Sequence, residues 1–264
     1  MKRDYKVLLE YIRNSFRDYI TKANLKSVVL GISGGIDSAL VAAIVHPVCK
    51  EIKIPLIGVS LPSSSNKSDE IERANSVGKN FCDVFLTLNI DKYAFAFNYD
   101  LSPADRVLRE EKIRQGNIKA RIRMIVLYDI AQKNNGLVLG TDNLTEYYLG
   151  FWTLHGDVGD LGLIQNLWKT EVYELSKYIL SLVVEIDKSE KFHAFKSCIE
   201  AIPTDGLGIT SSDLEQIKAK SYDEVDIILK DWILNKKGDV NNPVIQRYER
   251  THFKRKNPYN LEIK

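Results

Sequence analysis

Apolar residues recur along this chain in two rhythms. Four short runs, SVVLGIS, IPLIGVSL, DVFLTLNI and GLVLGT, punctuate the first half, and the first, second and fourth are nearly continuous rather than alternating. Runs of that kind mark strands covered on both faces, as in a parallel sheet. Between them the period lengthens to that of a helix over 38–51, 68–80 and 117–133. An amphipathic helix is also predicted near the N-terminus, with Val7, Leu8, Tyr11, Ile12, Ser15 and Tyr19 at helical spacing. Strand and helix in alternation predict a doubly wound α/β fold, a mostly parallel sheet with helices on both faces. Ligands in such sheets bind outside the carboxyl ends of the strands. After about residue 177 the pattern loosens into a helical, loop-rich C-terminal third, with IPTDGLGITSSD as a loop and YDEVDIILKDWI as a short helix. One domain over 1–264 is expected, its α/β core at about 25–180 and a loop and tail at about 200–264.

Composition narrows the class without deciding it. The chain has 264 residues, 44% hydrophobic and 27% charged, which is ordinary for a globular protein. Its apolar stretches fall short of the eighteen or so residues of a membrane span, and the charged N-terminus does not read as a signal peptide. A net charge of +2 gives no reason to expect nucleic acid, and the basic stretch RYERTHFKRKNP is the single exception. Cys49, Cys82 and Cys198 are far apart and form no CxxC pair. That spacing predicts a reduced, cytoplasmic protein without structural zinc.

The chemistry starts at GISGGIDS, residues 31–38, between a strand and a helix. Glycines let the chain turn tightly and let an anion approach the amide N–H groups. The helix N-terminus adds free N–H groups and the positive end of its dipole. Ser33 and Ser38 add hydroxyl donors. The loop reads as a phosphate cradle; the alternative is a turn in which Asp37 or Ser33 only caps the helix. It is neither GxxxxGK[ST] nor GxGxxG. Downstream, Arg121 and Arg123 sit on a mostly apolar helix and need partners, either an anionic ligand or an internal carboxylate. Thr141 follows a strand end, Glu146 lies about a helical turn beyond it, and Lys169 opens the next helix. Glu146 pairs plausibly with Asp37 as a metal ligand, with Asp142 and Asp157 as competitors on physical grounds.

GISGGIDS resembles the signature of the PP-loop ATP pyrophosphatases, of the adenine nucleotide α-hydrolase-like fold. Taken in order, GISGGIDS, GNIKARIRM, LGTDNLTE, GFWTLHGD, NLWKTEVYEL and HFKRKNP resemble the ammonia-dependent NAD synthetase family, over about residues 27–258. The resemblance implies a ligase that adenylates the carboxylate of deamido-NAD with ATP, releases pyrophosphate, and lets ammonia displace AMP. It gives ATP contacts to Gly31, Ile32, Ser33, Gly34, Gly35, Ile36, Asp37, Ser38, Thr141, Lys169 and Thr204. It gives Mg²⁺ to Asp37 and Glu146, a catalytic role to Asp37, Glu146 and Lys169, and deamido-NAD contacts to Arg121, Leu154, Asp160, Phe253 and Lys254. It also implies a homodimer, for which Tyr11 and Tyr19 are candidate contacts. Leu154 departs from the family, which often has Lys there, and the loop before Asp160 is one residue shorter.

Free ammonia is the expected nitrogen source. About 25 residues precede the first strand, below the ~50 of a small domain, and no cysteine sits in a nucleophile context. A mobile lid is expected at 203–212, where Gly206, Gly208 and hydroxyl residues offer little apolar area. Of the four histidines only His155 falls in a substrate-side loop. The rivals are a tRNA-modifying PP-loop enzyme, which often uses paired cysteines, a GMP synthetase ATPase module, and a nucleotide-binding protein without catalysis.

Overall fold

A computed structural model describes residues 3–97, 108–186, 189–204 and 212–262. Five parallel strands form one sheet in the order β3-β2-β1-β4-β5: β1 (Ser27–Gly31), β2 (Leu56–Ser60), β3 (Val84–Thr87), β4 (Gly136–Gly140) and β5 (Leu161–Gly162). Alternate residues of β1 feed opposite layers. Val28 and Leu30 pack with α1 (Tyr5–Lys22), α2 (Ile36–Ile52), α3 (Ser68–Phe81), α7 (Lys169–Ile186) and α8 (Glu190–Glu200). Val29 faces the other layer, with α4 (Asp91–Ala96) and α5 (Leu108–Lys133). Both faces are therefore covered, and the chain is the doubly wound α/β fold that its apolar runs predict. β3 explains why the third run read differently: it is an edge strand and largely exposed.

Helix α2 is apolar nearly all round, as a helix buried between sheet and outer helices must be. The N-terminal helix forms, and its predicted stripe is met in part: Ile12 is buried and Leu8 packs against the core, but the rest of the stripe is rotated away from it. Leu9, Ile12, Phe16 and Ile20 are the buried positions, whereas Val7, Tyr11 and Tyr19 are 60%, 69% and 47% exposed. Both sets fit a helical period, and only the packing partner distinguishes them. The loosened last third resolves into α7 and α8 followed by α9 (Asp213–Ile217), α10 (Tyr222–Asn235), α11 (Pro243–Arg250) and a 3₁₀ turn at His252–Arg255. These later helices close a separate apolar cluster around Leu149, Val225, Leu229 and Val244. Of the expected lid, residues 205–211 lie outside the described residues. At its edges, Asp213 N donates to Pro203 O and Thr204 Oγ1 donates to Glu70 Oε1 at 2.8 Å.

Strand order reverses at β1, whose neighbours β2 and β4 are reached in opposite directions. The carboxyl ends of β1 and β4 thus splay around a crevice, where a doubly wound sheet binds its ligand.

Candidate active site

Gly31 ends β1, and the chain turns through Ser33 and Gly34 into α2. Gly34 has φ +82°, and a Cβ there would stand 2.3 Å from the Glu70 carbonyl oxygen, so only glycine fits between the loop and α3. Gly35 is the N-cap and brings no side-chain cap of its own. The two hydroxyls organise the turn: Ser33 Oγ and Ser38 Oγ lie 3.0 Å apart, Gly35 N donates to Ser33 Oγ, and Ser33 N donates to Ser38 Oγ. The start of α2 faces the cleft, an anion-binding arrangement.

Asp37 does not cap its helix. Its carboxylate reaches across to the turn after β4, where Asn143 Nδ2 donates to Oδ1 at 2.9 Å, and to α7, where Lys169 Nζ lies 2.5 Å from Oδ2. Asn143 caps α6 (Leu144–Leu149) in a capping box: Glu146 N donates to Asn143 Oδ1, and Asn143 N donates to Glu146 Oε2 at 3.2 Å. The second oxygen, Glu146 Oε1, is 3.1 Å from Lys169 Nζ. A buried carboxylate, Asp226 on α10, completes the frame. It accepts from Thr145 Oγ1 at 2.5 Å and from Thr170 N at 3.0 Å, while Lys169 N donates to Thr145 Oγ1 at 2.8 Å.

The electrostatics follow from crowding acids into low-dielectric surroundings. Burial, aided by the Asp37 charge and opposed by Lys169, pushes the Glu146 carboxyl up to about 7. Burial pushes Asp157 to about 6, and burial with the charges of Asp157, Glu146 and Asp37 raises Asp142 well above the carboxylate range. Burial pulls the Lys169 ammonium down, but Asp37 and Glu146 outweigh it and hold the group well above its ordinary value.

Two cavities of about 560 Å³ each adjoin here, sharing Met124, Asp142, Trp152 and Lys254 in their walls. The first is lined by Gly31 through Ser38 and by Thr141, Glu146, Lys169 and Thr204. The structure therefore gathers every residue expected at ATP into one cleft, with Asp142 and Asp157 beside them. The second cavity is lined by Tyr128, Tyr147, His155 and Arg255 among others. Lys254 reaches both and donates to Gly150 O at 2.8 Å. The other residues expected at deamido-NAD lie off both walls. Arg121 donates to the carbonyls of Leu154 and Asn117, Asp160 accepts from Tyr128 Oη and Val138 N, and Phe253 is 58% exposed. Of Arg121 and Arg123 it is Arg123 that lines the ATP-side cleft, as Arg73, Arg247 and Arg250 also do; its Nε donates to Leu61 O and its Nη2 to Asn66 Oδ1.

Asn143, Thr145 and Asp226 escaped the sequence reading. The N-x-x-E spacing of Asn143 and Glu146 is a legible capping signal. Asp226 carries none, since an acid in a helical pattern reads as solvent-facing.

A family model described as NAD synthase matches residues 8–258. The chain belongs to the NAD synthase family. Among curated relatives, the NH(3)-dependent NAD(+) synthetase of Methanocaldococcus jannaschii is 35% identical over 224 residues, which is 84% of this chain and 80% of the relative. Among solved structures, the NMN synthetase of Francisella tularensis superposes with TM-score 0.78 at 25% identity, over 99% of this chain and 100% of that one. The NH3-dependent NAD synthetase of Campylobacter jejuni, solved with nitrate, gives TM-score 0.72 at 26% identity over 99% and 100%. As a member of the NAD synthase family the chain is a ligase: it amidates deamido-NAD at the expense of ATP. The chemistry is consistent with the cleft, because a carboxylate must exchange its hydroxide-like leaving group for a better one before an amine can displace it.

Proposed function

We propose that this ligase works in two half-reactions across the adjoining cavities, with free ammonia as nitrogen donor. The acceptor's nicotinate carboxylate attacks the α-phosphorus of ATP, forming a C–O–P anhydride as the bond to pyrophosphate breaks. Ammonia then attacks the acyl carbon, AMP leaves with one former carboxylate oxygen, and a proton is released. The observation that carries this reading is the meeting of Asp37, Glu146 and Lys169 beside a phosphate-binding helix N-terminus, with a second cavity next door. The loop N–H groups hold the departing pyrophosphate, Lys169 and Arg123 offset its charge, and Thr141 and Thr204 position the nucleotide. Asp37 and Glu146 fit Mg²⁺: their Oδ2 and Oε1 converge on a single cation, and both are hard oxygen donors. When bound, Mg²⁺ supplies Lewis-acid neutralisation of polyphosphate charge. Lys254, on both walls, holds the acceptor, and the start of the lid at Thr204 reports nucleotide binding through Glu70. Carboxylate ¹⁸O in the acceptor must appear in AMP. Formation of ADP and phosphate, or label absent from AMP, overturns the mechanism.

The reading also includes a homodimer acting in the cytoplasm. Val7, Tyr11 and Tyr19 leave an apolar face of α1 exposed, a contact for a second copy. No helix among the described residues is long and apolar enough to cross a membrane, and the three thiols are free. Sedimentation at micromolar concentration distinguishes a dimer from a 30.1 kDa monomer.

A second acceptor is favoured by one observation. Leu154 offers no charge, and Arg121 and Asp160 line neither cavity and are engaged by neighbouring protein groups. A dinucleotide acceptor, with its own adenylate, therefore finds on the cavity walls only Lys254 of the partners expected for it. Nicotinate mononucleotide, which lacks that adenylate, is then a competing substrate, as the name of the Francisella relative indicates for that protein. Comparable kcat/KM for the two acceptors supports this; a preference for deamido-NAD of about 10³ or more rejects it.

A further inference from the structure

Two of the acidic side chains of the cleft, Asp37 and Glu146, are held at all of their oxygens, in a regular way. Asn143 takes one oxygen of each, its Nδ2 on Asp37 Oδ1 at 2.9 Å and its backbone N on Glu146 Oε2 at 3.2 Å. The Lys169 ammonium takes the other of each, at 2.5 Å from Asp37 Oδ2 and 3.1 Å from Glu146 Oε1. Asn143 is 0% and Lys169 2% exposed, so the groups that hold the two carboxylates are themselves buried, while Asp37 and Glu146 keep an open side toward the cleft. Asn143 thus aims two carboxylate oxygens at one point, and an ammonium group fills it. Asp37 and Glu146 would hold Mg²⁺ through hard oxygen contacts of about 2.0–2.1 Å, shorter than those to an ammonium, so metal and ammonium would compete for the same place.

We propose that the Lys169 ammonium is a resident counter-cation that keeps divalent metal off the Asp37–Glu146 pair until a polyphosphate is bound. The proposal rests on the reading of Asp37 and Glu146 as the metal ligands. Its physical basis is that a buried ammonium cannot give up both carboxylates without another anion to receive it. In the free protein, metal entry would strand the ammonium beside a second cation. With a triphosphate in the same cleft, its oxygens receive the ammonium and the carboxylates pass to the metal. The backbone does not have to move for this exchange. Lys169 N is fixed on Thr145 Oγ1, which is in turn fixed on Asp226, and only the four-carbon stem must change rotamer. Linkage makes the coupling reciprocal, so metal raises nucleotide affinity by the factor that nucleotide raises metal affinity.

The test uses the full chain and Mn²⁺ as a paramagnetic oxygen-seeking probe, titrated without nucleotide and read by electron paramagnetic resonance. Lys169→Met, checked for folding by circular dichroism, is expected to bind Mn²⁺ about tenfold or more tightly than wild type. Lys169→Gln should behave likewise, and is used if the first variant does not fold. Adding α,β-methylene-ATP, with its own Mn²⁺ complex subtracted, should raise wild-type binding by a similar factor and the variants' by much less. Wild-type protein binding Mn²⁺ without nucleotide as tightly as a folded Lys169 variant overturns the proposal. The ligand assignment is tested separately, by adding Asp37→Asn to the Lys169→Met protein. Loss of the gained binding supports it, and persistence of that binding rejects the assignment underneath.

Discussion

The ATP side and the acceptor side of this site are built in different ways. The first hangs on the ends of β1 and β4 and on the first residues of α2, α6 and α7, elements whose cores are buried on both faces. Its charged groups hold one another: Asp37, Glu146, Asn143 and Lys169 form a closed set of hydrogen bonds. The second is walled in large part by loop residues from Trp152 to Gly159 and by the turn around Lys254, about a hundred residues later, with Met124 and Tyr128 of α5 and Tyr147 of α6 behind them. Lys254 is tethered there to backbone carbonyls of Gly150 and Trp152. Rigid elements fix atoms to fractions of an ångström, as phosphoryl chemistry requires. Loops set which acceptor enters, and they tolerate change in sequence and length.

The contrast is sharpest for Asp37. Asp37→Asn keeps an oxygen acceptor but removes the charge that faces Lys169, and kcat should fall on the order of 10²–10³, with secondary structure retained. Turnover within threefold of wild type would remove the ATP side's claim to be the chemical half.

Asp157 stands between the two regions. Its carboxyl, pushed by burial to about 6, is favoured protonated in the folded protein relative to an ordinary value of 3.8. The stability it supports is whole below about pH 4 and is lost as pH rises through 6, by up to about 3 kcal/mol. Asp157→Asn cannot ionise, so its unfolding free energy should gain on wild type between pH 4 and pH 7. Denaturant unfolding across that range reads the difference; a constant gap would mean the carboxyl is well solvated.

Thr145→Val tests the frame beneath Lys169. It leaves Asp226 and the Lys169 N–H without their shared partner, and should destabilise by about 1–3 kcal/mol, with Thr145→Ser close to wild type. A thermal midpoint equal to wild type would show that α10 does not support the ATP side.

The smallest effect is expected on the acceptor side. Lys254→Ala should raise the acceptor KM about tenfold and leave the ATP KM within about twofold, whereas Arg121→Ala, exposed and bonded to carbonyls, should change either by less than about threefold. The reverse ranking would move the acceptor out of the second cavity.

Much of the ATP side is legible in the chain because its signals are local. SVVLG followed by SGGIDS is a buried strand and a glycine-bearing turn within a dozen residues, and backbone sterics dictate the rest. That Glu146 opens a helix after GLVLGT, and that Lys169 opens another, follows likewise from strand and helix periodicity. The acceptor side is less legible, since one residue more or less in a loop changes which acid faces the cavity. Asp142 lines it here, Asp157 faces the ATP-side cleft, and Asp160 turns back onto β4 at Val138.

By itself, the order of apolar and polar residues determined a parallel sheet between two helical layers and a phosphate loop at its switch point, because those depend on burial and on sterics over a few residues. It determined that α1 is amphipathic but not the limits of its buried flank: the expected stripe 7–8–11–12–15–19 shares Ile12 with the buried face 9–12–16–20, and both fit a helical period. Tertiary structure decided that flank by placing α1 against α2 and α7. It also brought Asp226 under Lys169, 57 residues away, and set one ammonium between Asp37 and Glu146, which are 109 residues apart. Charge pairing in a low-dielectric interior acts through space and leaves no periodic trace along the chain, so only the folded arrangement reveals it.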